Sequence, residues 1–339
     1  MFERRLTQIV ATLHGVACGD AIGKQTEGLS SEEVRRWYPD GVRGFEGEPG
    51  AVIPRYAANR KRAWRIGETT DDTERTIAVA RAIRADGGDV RHATVGRELL
   101  ACVKCVHPGI ASLWEFHQAG DPARVATRHD GCGAAVRISP VGILHHSDRV
   151  DDIVAAAREA SISTHGGPLA IAAAAATAVA VSAAIDDAGP DEIFARACRA
   201  AGHAEFVAAL RRVRDDVSRR WTRVQPHGID PTELAAAHFP NDPLTIVPLA
   251  IALATTMESA TDAILLAANI GGDSDSVASI AGAILGARFP HTVNDDWTAI
   301  VEAVNGHGLQ ALATELSTLR LPPDARGVTP RRAKPRTPS

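Results

Sequence analysis

Two carboxylates and a hydroxyl lie close together after a pair of glycines in the last third of the chain. The segment Gly271-Gly272-Asp273-Ser274-Asp275-Ser276 places these oxygens at i, i+2 and i+3, where a glycine turn leads into an apolar run. Carboxylate and hydroxyl oxygens are ligands that a hard cation such as Mg²⁺ prefers. A helix that begins here would also stabilise negative charge through its free N–H groups. The segment therefore predicts part of a cation site, although Asp and Ser are also ordinary helix caps.

A second oxygen cluster, Thr70-Asp71-Asp72, lies much earlier in the chain, again at an apparent helix start. It repeats the pattern of adjacent acids and a hydroxyl. Its structural alternative is a cap, because Glu74 stands three residues after Asp71 as in a capping box. If the fold joins the two clusters, together they predict a two-metal site.

Two more acids lie near the amino terminus. Asp20 stands within Gly19-Asp20-Ala21-Ile22-Gly23, and Glu27 precedes Gly28. Taken alone, Asp20 is compatible with a turn residue and Glu27 with a surface acid. A carboxylate that the fold brings to a cation site can instead act as a general base or acid.

The elements that must position these groups are predicted to be helices. Apolar residues at 6, 9, 10, 13, 16 and 17 follow one face of an amphipathic helix. After the second acidic motif, Ala278, Gly282 and Gly286 form a small-residue stripe that would let another helix approach closely. No strand-type alternation and no fixed-period repeat is evident, so we expect one all-α domain over residues 1–320.

Further helices are predicted along the chain from the same periodicity and from proline positions. They fall at 31–37, from 70 to about 87, and at 91–106, 112–119, 151–161, 168–185, from 190, 205–223, briefly within 226–243, 244–256 and 261–268. Residues 131–140 and most of 29–63 are predicted as loops. The latter carries a basic cluster of Arg55, Arg60, Lys61, Arg62 and Arg65, which would attract a phosphate or form a solvated face.

The amino-acid composition limits the classes of protein to which this chain can belong. The chain has 339 residues, of which 45% are hydrophobic and 4% aromatic, so its core must be mainly small aliphatic side chains. A formal charge of −4 gives no reason to expect nucleic-acid binding. The five cysteines are unevenly spaced, which argues against a disulfide framework and for a reducing cytoplasm. No signal-peptide core is evident at the start.

Two stretches have unusual composition. Residues 168–185 are uncharged and rich in alanine, and barely reach membrane-spanning length, so we expect a buried helix and no membrane partner. Residues 321–339 are rich in proline and arginine and are predicted to be a disordered tail after the catalytic domain.

Five motifs, in order, resemble those of the ADP-ribosylglycohydrolases. Residues 19–23 with Glu27 are similar to the family's amino-terminal signature, and Thr70-Asp71-Asp72-Thr73 to its Thr-Asp-Asp-Thr motif. The segments 131–137 and 164–168 match middle-chain signatures, and 272–276 matches a Gly-Asp-x-Asp-Ser/Thr motif. The resemblance spans roughly residues 8 to 290.

This resemblance implies a compact all-α domain with a binuclear Mg²⁺ centre, or Mn²⁺ in its place, at the mouth of an ADP-ribose cleft. The implied metal ligands are Thr70, Asp71, Asp72, Asp273, Asp275 and Ser276. Glu27 is the first candidate for the catalytic carboxylate, followed by Asp71 and Asp72. The implied substrate-binding residues are Asp20, Gly133, His165 and Gly272. The implied partner is an ADP-ribosylated protein or a small molecule that contains ADP-ribose.

Departures from the family pattern leave the substrate open. Ser276 replaces a more usual threonine, Cys132 an asparagine and Val136 a methionine, and the last two flank the ligand loop. Three hypotheses for the function stay open. They are an ADP-ribosyl-acceptor hydrolase, a related hydrolase of small N-glycosides or nucleosides, and a non-catalytic ADP-ribose-binding protein. All metal ligands and Glu27 are retained, which favours an enzyme.

Other sequence motifs give weaker evidence, or none, of a catalytic function. Cys102 and Cys105 have redox-motif spacing, but the βαβ context of such motifs is absent from the sequence. The chain has no Gly-x-Ser-x-Gly elbow and no Gly-Lys-Ser/Thr phosphate loop, so serine-hydrolase and nucleoside-triphosphatase classes have no support.

Overall fold

A computed structural model describes residues 2–59, 62–104, 125–224 and 228–320. Within these ranges the secondary structure is helical, and the one β-type pairing is an isolated bridge between Val52 and Arg65. The α-helices, in chain order, are α1 (Phe2–Gly23), α2 (Ser31–Trp37), α3 (Asp71–Ala85), α4 (His92–Leu100), α5 (Gly133–Val136), α6 (Ser139–Leu144), α7 (Val150–Ser161), α8 (Pro168–Ile185), α9 (Pro190–Ala201), α10 (Ala204–Val224), α11 (Pro231–His238), α12 (Pro243–Thr256), α13 (Ala260–Ile270), α14 (Ser274–Arg288), α15 (Asp295–Asn305) and α16 (Leu309–Leu319). The predicted all-α fold is confirmed.

Helices α1 and α14 form the antiparallel pair at the centre of the fold. Small residues let their backbones touch: a Cβ on Gly19 would lie 2.3 Å from the carbonyl oxygen of Ala278. A Cβ on Gly15 would lie 2.1 Å from the carbonyl oxygen of Gly282. The small-residue stripe therefore has its predicted role. It brings the carboxyl end of α1 against the acidic amino end of α14.

Helix α8 is the alanine-rich core helix. By length and composition it could cross a membrane, with a mean hydropathy of 2.0, but 83% of it is buried inside the protein. It packs on α5, α6, α7, α9 and α14. Alanine side chains allow this close packing on several sides, as expected for a buried helix.

The segment between α2 and α3 has a small hydrophobic core of its own. Ile53, Tyr56, Trp64 and Ile66 are buried together, with Phe45 packed against them. The backbone N–H of Ile53 donates to the carbonyl of Trp64 at 2.9 Å. This predicted loop is thus an ordered cover next to the end of α1.

Two side chains of the basic cluster in this cover, Arg55 and Arg62, bond within the protein, whereas Arg65 is exposed. Arg55 turns inward, and its guanidinium donates to the carbonyl oxygens of Gln25 and Glu27, each at 2.7 Å. Arg62 stacks on Trp64 and pairs with Glu68 at 2.7 Å. Arg60 and Lys61 lie outside the described residues.

The helix predictions need correction at α4 and at residues 131–140, and two helices near the end of the described chain were missed. Helix α4 ends at Leu100, short of the predicted 106, and residues 131–140 contain α5 and the start of α6 instead of a loop. Helices of four and six residues that are buried on all sides carry no readable periodicity. Helices α15 and α16 were not predicted. The predicted helix at 112–119 and the tail at 321–339 lie outside the described residues.

Candidate metal-binding and active site

The amino ends of α3 and α14 and the turn after α1 meet at one cleft of about 470 Å³. Its lining residues are Glu27, Gly28, Asp71, Asp72, Arg75, Gly131, Cys132, Gly133, His165, Phe239, Pro240, Asn241, Gly272, Asp273, Asp275 and Ser276. The fold therefore brings together most of the predicted site residues from five separate segments of the chain. Asp20 and Thr70 do not line the cleft.

The glycine turn before α14 is pinned to the segment that follows α1. Gly271 and Gly272 have φ values of +83° and +64°, in the left-handed region that favours glycine. The N–H of Gly272 donates to the carbonyl of Leu29 at 2.8 Å, and its own carbonyl accepts from the N–H of Gly28 at 2.7 Å. Because of this two-bond link, Glu27 reaches the same cleft as Asp273.

Direct contact joins the two acidic motifs. The Ser276 hydroxyl donates to Oδ2 of Asp72 at 3.1 Å. Burial raises the pKa of Asp72 well above its usual value, and the charges of Asp71, Asp20 and Asp273 raise it further. This concentration of negative charge in a buried place is what a bound cation would relieve.

Asp275 lies deeper than Asp273 and is 3% exposed. Burial raises its pKa well above the usual value, while the ammonium of Lys24 acts in the opposite direction. Its Oδ1 accepts the N–H of Ser276 at 3.0 Å. The other carboxylate oxygen, Oδ2, is 3.8 Å from the Lys24 ammonium.

Asp20 was predicted to bind substrate, and the structure places its side chain behind the cleft. Its side chain is fully buried and accepts the backbone N–H groups of Thr70 and Thr73, at 2.9 and 3.0 Å, and the Thr73 hydroxyl at 2.5 Å. Burial raises the pKa of Asp20, and the threonine hydrogen bonds oppose that rise. Asp20 therefore positions the start of α3 from behind.

Thr70, a predicted metal ligand, is 1% exposed and lies behind the cleft lining. Its hydroxyl caps α3 by accepting the N–H of Asp72 at 3.1 Å. Thr70 therefore has the helix-capping role that the sequence offered as an alternative to metal binding. It does not displace the neighbouring Asp71 and Asp72, whose side chains line the cleft.

Lys24 is a functional-site residue that sequence reasoning missed. Its side chain is 8% exposed, and its ammonium forms an ion pair with Glu27 while lying 4.5 Å from the ring centroid of Trp64. The available signal was a lysine in the turn between Asp20 and Glu27. Glu27 itself lies at the rim, with a side chain that is 36% exposed.

The opposite wall of the cleft comes from the segments before and within α5 and before α8. A Cβ on Gly133 would lie 3.2 Å from the Arg75 guanidinium and 3.3 Å from the His165 ring, so glycine is needed for close approach. His165 is oriented by a bond of 2.7 Å between its Nδ1 and the Thr164 hydroxyl, which accepts from buried Arg137 at 2.6 Å. The predicted positions Gly133 and His165 thus face the acidic cluster.

Two further lining residues, Arg75 and Cys132, were not predicted to act on the acids. Arg75 pairs with Asp71 at 3.2 Å. The Cys132 thiol donates to Oδ2 of Asp273 at 3.2 Å. Burial raises the pKa of Cys132 well above its usual value, and the charges of Asp273 and Asp72 add to the rise. The thiol is therefore a protonated donor to Asp273.

The donor set fits a hard cation, because carboxylate and hydroxyl oxygens line one side of the cleft. Within the described part of the chain, however, no three His, Cys, Asp or Glu side chains converge closely enough to hold an ion as they stand. The oxygens are instead engaged by Lys24, Arg75, Cys132 and Ser276. An ion bound here would have to replace some of these partners.

An all-helical domain with an acidic cleft built from glycine-flanked carboxylate motifs defines the class of this protein. The ADP-ribosylglycohydrolase family model matches residues 1–325. The chain belongs to this family, as its motifs indicated.

Individual proteins also match this chain over nearly its whole length. The chain is 28% identical to an uncharacterized protein of Archaeoglobus fulgidus, over 91% of this chain and 95% of that one. It is 29% identical to the uncharacterized protein YegU of Escherichia coli, over 92% and 97% of the two chains. A solved structure named as an ADP-ribosylglycohydrolase-related protein complex matches with a TM-score of 0.69 and 22% identity. That match covers 94% of this chain and 100% of the other, and shows the shared fold.

Proposed function

We propose that this protein is a Mg²⁺-dependent hydrolase that cleaves the glycosidic bond between ADP-ribose and an acceptor, which is a protein side chain or a small molecule. The observation that supports the proposal best is the convergence of Glu27, the α3 acids and the α14 acids on one cleft. That convergence occurs in a chain of the ADP-ribosylglycohydrolase family.

The residues that would hold Mg²⁺, or Mn²⁺ in its place, are those whose oxygens line the cleft. They are Asp71, Asp72, Asp273, Asp275 and Ser276. When bound, the ion supplies Lewis-acid polarisation and a lowered pKa for water. Glycosidic cleavage builds positive charge on the ribose ring, and the carboxylates of this side of the cleft stabilise such charge.

Glu27 is the proposed proton-transfer group. It lines the cleft, and its partial exposure lets it reach both solvent and ligand. In the proposed reaction an oxygen–carbon bond forms from water to the anomeric carbon while the bond to the acceptor breaks. Glu27 takes one proton of the water and passes it to the departing acceptor, which restores the carboxylate.

The opposite wall supports an anionic substrate. Among the described lining residues, Arg75 is the single arginine or lysine, and it lies beside His165 and the Gly131–Gly133 loop. A diphosphate placed against this wall would lie near the Arg75 guanidinium, whose pairing it would share with Asp71. This favours an ADP-ribosyl substrate over an uncharged nucleoside.

The test is a hydrolysis panel with and without Mg²⁺, covering arginine-linked, serine-linked and O-acetyl ADP-ribose and simple nucleosides. We expect release of ADP-ribose from at least one conjugate and its loss on addition of chelator. Turnover of nucleosides alone would indicate the related N-glycoside hydrolase. Binding of ADP-ribose without any turnover would indicate a non-catalytic binding protein.

Substitution of Glu27 tests its role directly. Glu27→Gln should keep fold and metal binding but lose about 100-fold or more in kcat, the usual contribution of a general base. The matched control is Glu315→Gln. Glu315 lies on helix α16, is exposed and pairs with Arg84. Equal activity in the two variants would remove Glu27 from the mechanism.

Substitution of the α14 acids tests the metal assignment. Asp273→Ala and Asp275→Ala should each abolish the Mg²⁺-dependent rise in melting temperature that ADP-ribose produces, because bound ligand stabilises the folded state. Persistence of that rise in both variants would show that the metal is held elsewhere.

A cytoplasmic location is part of the proposal. The four described cysteines, Cys18, Cys102, Cys132 and Cys198, are all free thiols, which suits a reducing compartment. Cell fractionation with antibody detection tests this, and recovery in a secreted or membrane fraction would contradict it.

A further inference from the structure

Lys24 is a cation buried beside the acidic cluster. Its ammonium contacts the carboxylate of Glu27 and lies 3.8 Å from Oδ2 of Asp275. Only 8% of the side chain is exposed, and it is not part of the cleft lining. The ammonium therefore lies behind the cleft floor, where it neutralises charge that solvent screens poorly.

The cover between α2 and α3 encloses this ammonium. Its aromatic rings lie on one side, with the Trp64 centroid at 4.5 Å and the Tyr56 centroid at 6.0 Å, both within cation–π range. Arg55 fixes the backbone around Lys24 by donating to the carbonyl oxygens of Lys24, Gln25 and Glu27 at 2.7 to 3.0 Å. A lysine held by aromatic rings, carboxylates and a fixed backbone has little freedom to withdraw.

The positive charges divide the carboxylates into two groups. Glu27 and Asp275 face Lys24, and Asp71 pairs with Arg75. Asp72 and Asp273 instead accept neutral donors, the Ser276 hydroxyl and the Cys132 thiol. Replacing a neutral donor by a divalent ion adds attraction. Placing a second divalent ion between Glu27 and Asp275 would instead bring it close to a buried ammonium, which like-charge repulsion opposes strongly.

We infer that Lys24 is a resident counter-ion that takes the place of one divalent cation, so that this centre binds a single Mg²⁺. The ion is held on the side of Asp72, Asp273 and Ser276, where the carboxylates accept neutral donors. The inference rests on the proposed metal-dependent function and departs from the binuclear centre that the family resemblance implies. It assigns Lys24 as a positioning residue that holds Glu27 at the cleft rim.

Metal counting with Mn²⁺ tests the inference without any activity measurement. Wild-type protein should bind one Mn²⁺ per chain by native mass spectrometry, with the electron paramagnetic resonance spectrum of an isolated ion. Lys24→Met, which keeps length and removes charge, should double the stoichiometry and produce the exchange-coupled spectrum of a pair. The control is Arg288→Met, because the Arg288 guanidinium is also partly buried but lies at the carboxyl end of α14, where it donates to the carbonyl of Met257 at 3.2 Å.

The outcomes separate this inference from the proposed function. Two coupled ions in the wild type would overturn the inference and leave a metal-dependent hydrolase intact. A Lys24→Met variant that is folded by circular dichroism yet binds one ion would also overturn it. Absence of any Mn²⁺ binding by the wild type would overturn the metal-dependent function as well. The wild-type spectrum decides the question even where the Lys24 variant does not fold.

Discussion

The acidic ends of α3 and α14 face the same cleft, yet different forces hold them in place. The α14 end is fixed by backbone contact with α1, where Gly23 lies so close to Asp275 that a Cβ would be 2.4 Å from its Cα. The α3 end is fixed by side chains: Asp20 accepts the N–H groups of Thr70 and Thr73. One end therefore depends on the absence of side chains, and the other on hydrogen bonds.

The difference continues at Thr69, two residues before the first residue of α3. The Thr69 N–H donates to Asn305 at 3.1 Å, its hydroxyl bonds to His307 at 2.8 Å, and its carbonyl accepts from Lys104. Asn305 ends α15, and His307 lies in the link to α16. The backbone at the start of α3 thus depends on ionisable groups, whereas the backbone at the start of α14 is held by its contact with α1 and by the glycine turn.

The largest predicted effect breaks the α1–α14 contact. Gly19→Ala places a Cβ 2.3 Å from the Ala278 carbonyl oxygen, and backbone atoms cannot move aside as a side chain can. We expect a loss of about 3 kcal/mol or more in the free energy of unfolding, measured by urea denaturation.

The matched control is Gly189→Ala. Nothing lies within 4 Å of a Cβ at Gly189, and its φ of −69° suits any residue, so we expect a change below about 1 kcal/mol. Equal stability of the two variants would show that α1 and α14 are not in the close contact described.

The next effect breaks the hydrogen bonds at α3. Asp20→Asn keeps the shape but turns one acceptor oxygen into a donor that faces N–H groups. We expect a loss of about 2 kcal/mol in unfolding free energy and a roughly tenfold loss of Mn²⁺ affinity, because Asp71 and Asp72 lose their support. Thr73→Val removes one hydroxyl bond and should cost less. Unchanged Mn²⁺ affinity in Asp20→Asn would contradict the positioning role.

Local patterns were enough to predict the α14 side of the site. The apolar periodicity of α1, the stripe of Ala278, Gly282 and Gly286, and the glycine turn before Asp273 are each contained within one short segment. A close helix pair follows from them because only small residues permit backbone contact. The acids that line the cleft were also recognised from local spacing.

The α3 side could not be predicted in the same way. The partners of Thr69 are Asn305 and His307, in a part of the chain where no helix was predicted. Asp20 was assigned to substrate because its motif is near the site, but burial decides its role, and burial is a property of the whole fold. Lys24 was missed because its aromatic neighbours come from a segment predicted only as a loop.

The pH dependence of stability offers a smaller effect specific to α3. Burial, together with the smaller effect of the Lys104 ammonium, lowers the pKa of His307 from 6.5 to about 4. The unfolded chain therefore binds more protons than the folded chain between these values. Stability is full above pH 6.5 and is lost as the pH falls towards 4, by on the order of 1–2 kcal/mol after allowance for partial exposure.

His307→Gln tests this sign. Glutamine can still bond to the Thr69 hydroxyl but does not titrate, so the loss of stability between pH 6.5 and 4 should become shallower, as measured by urea denaturation at several pH values. A mutant curve parallel to that of the wild type would mean that His307 does not contribute.

The smallest predicted change in Mn²⁺ affinity is that of a Cys132 variant. This variant tests whether packing alone holds the α14 acids in place. The Cys132 thiol donates to Asp273, but the backbone of Asp273 is held independently by its N–H bond of 2.8 Å to the Pro240 carbonyl. Cys132→Ala should therefore change Mn²⁺ affinity by less than about threefold, under 0.7 kcal/mol. Cys132→Ser retains a donor and serves as the control. A tenfold loss in the alanine variant that serine restores would show that Asp273, like the α3 acids, depends on a side-chain hydrogen bond.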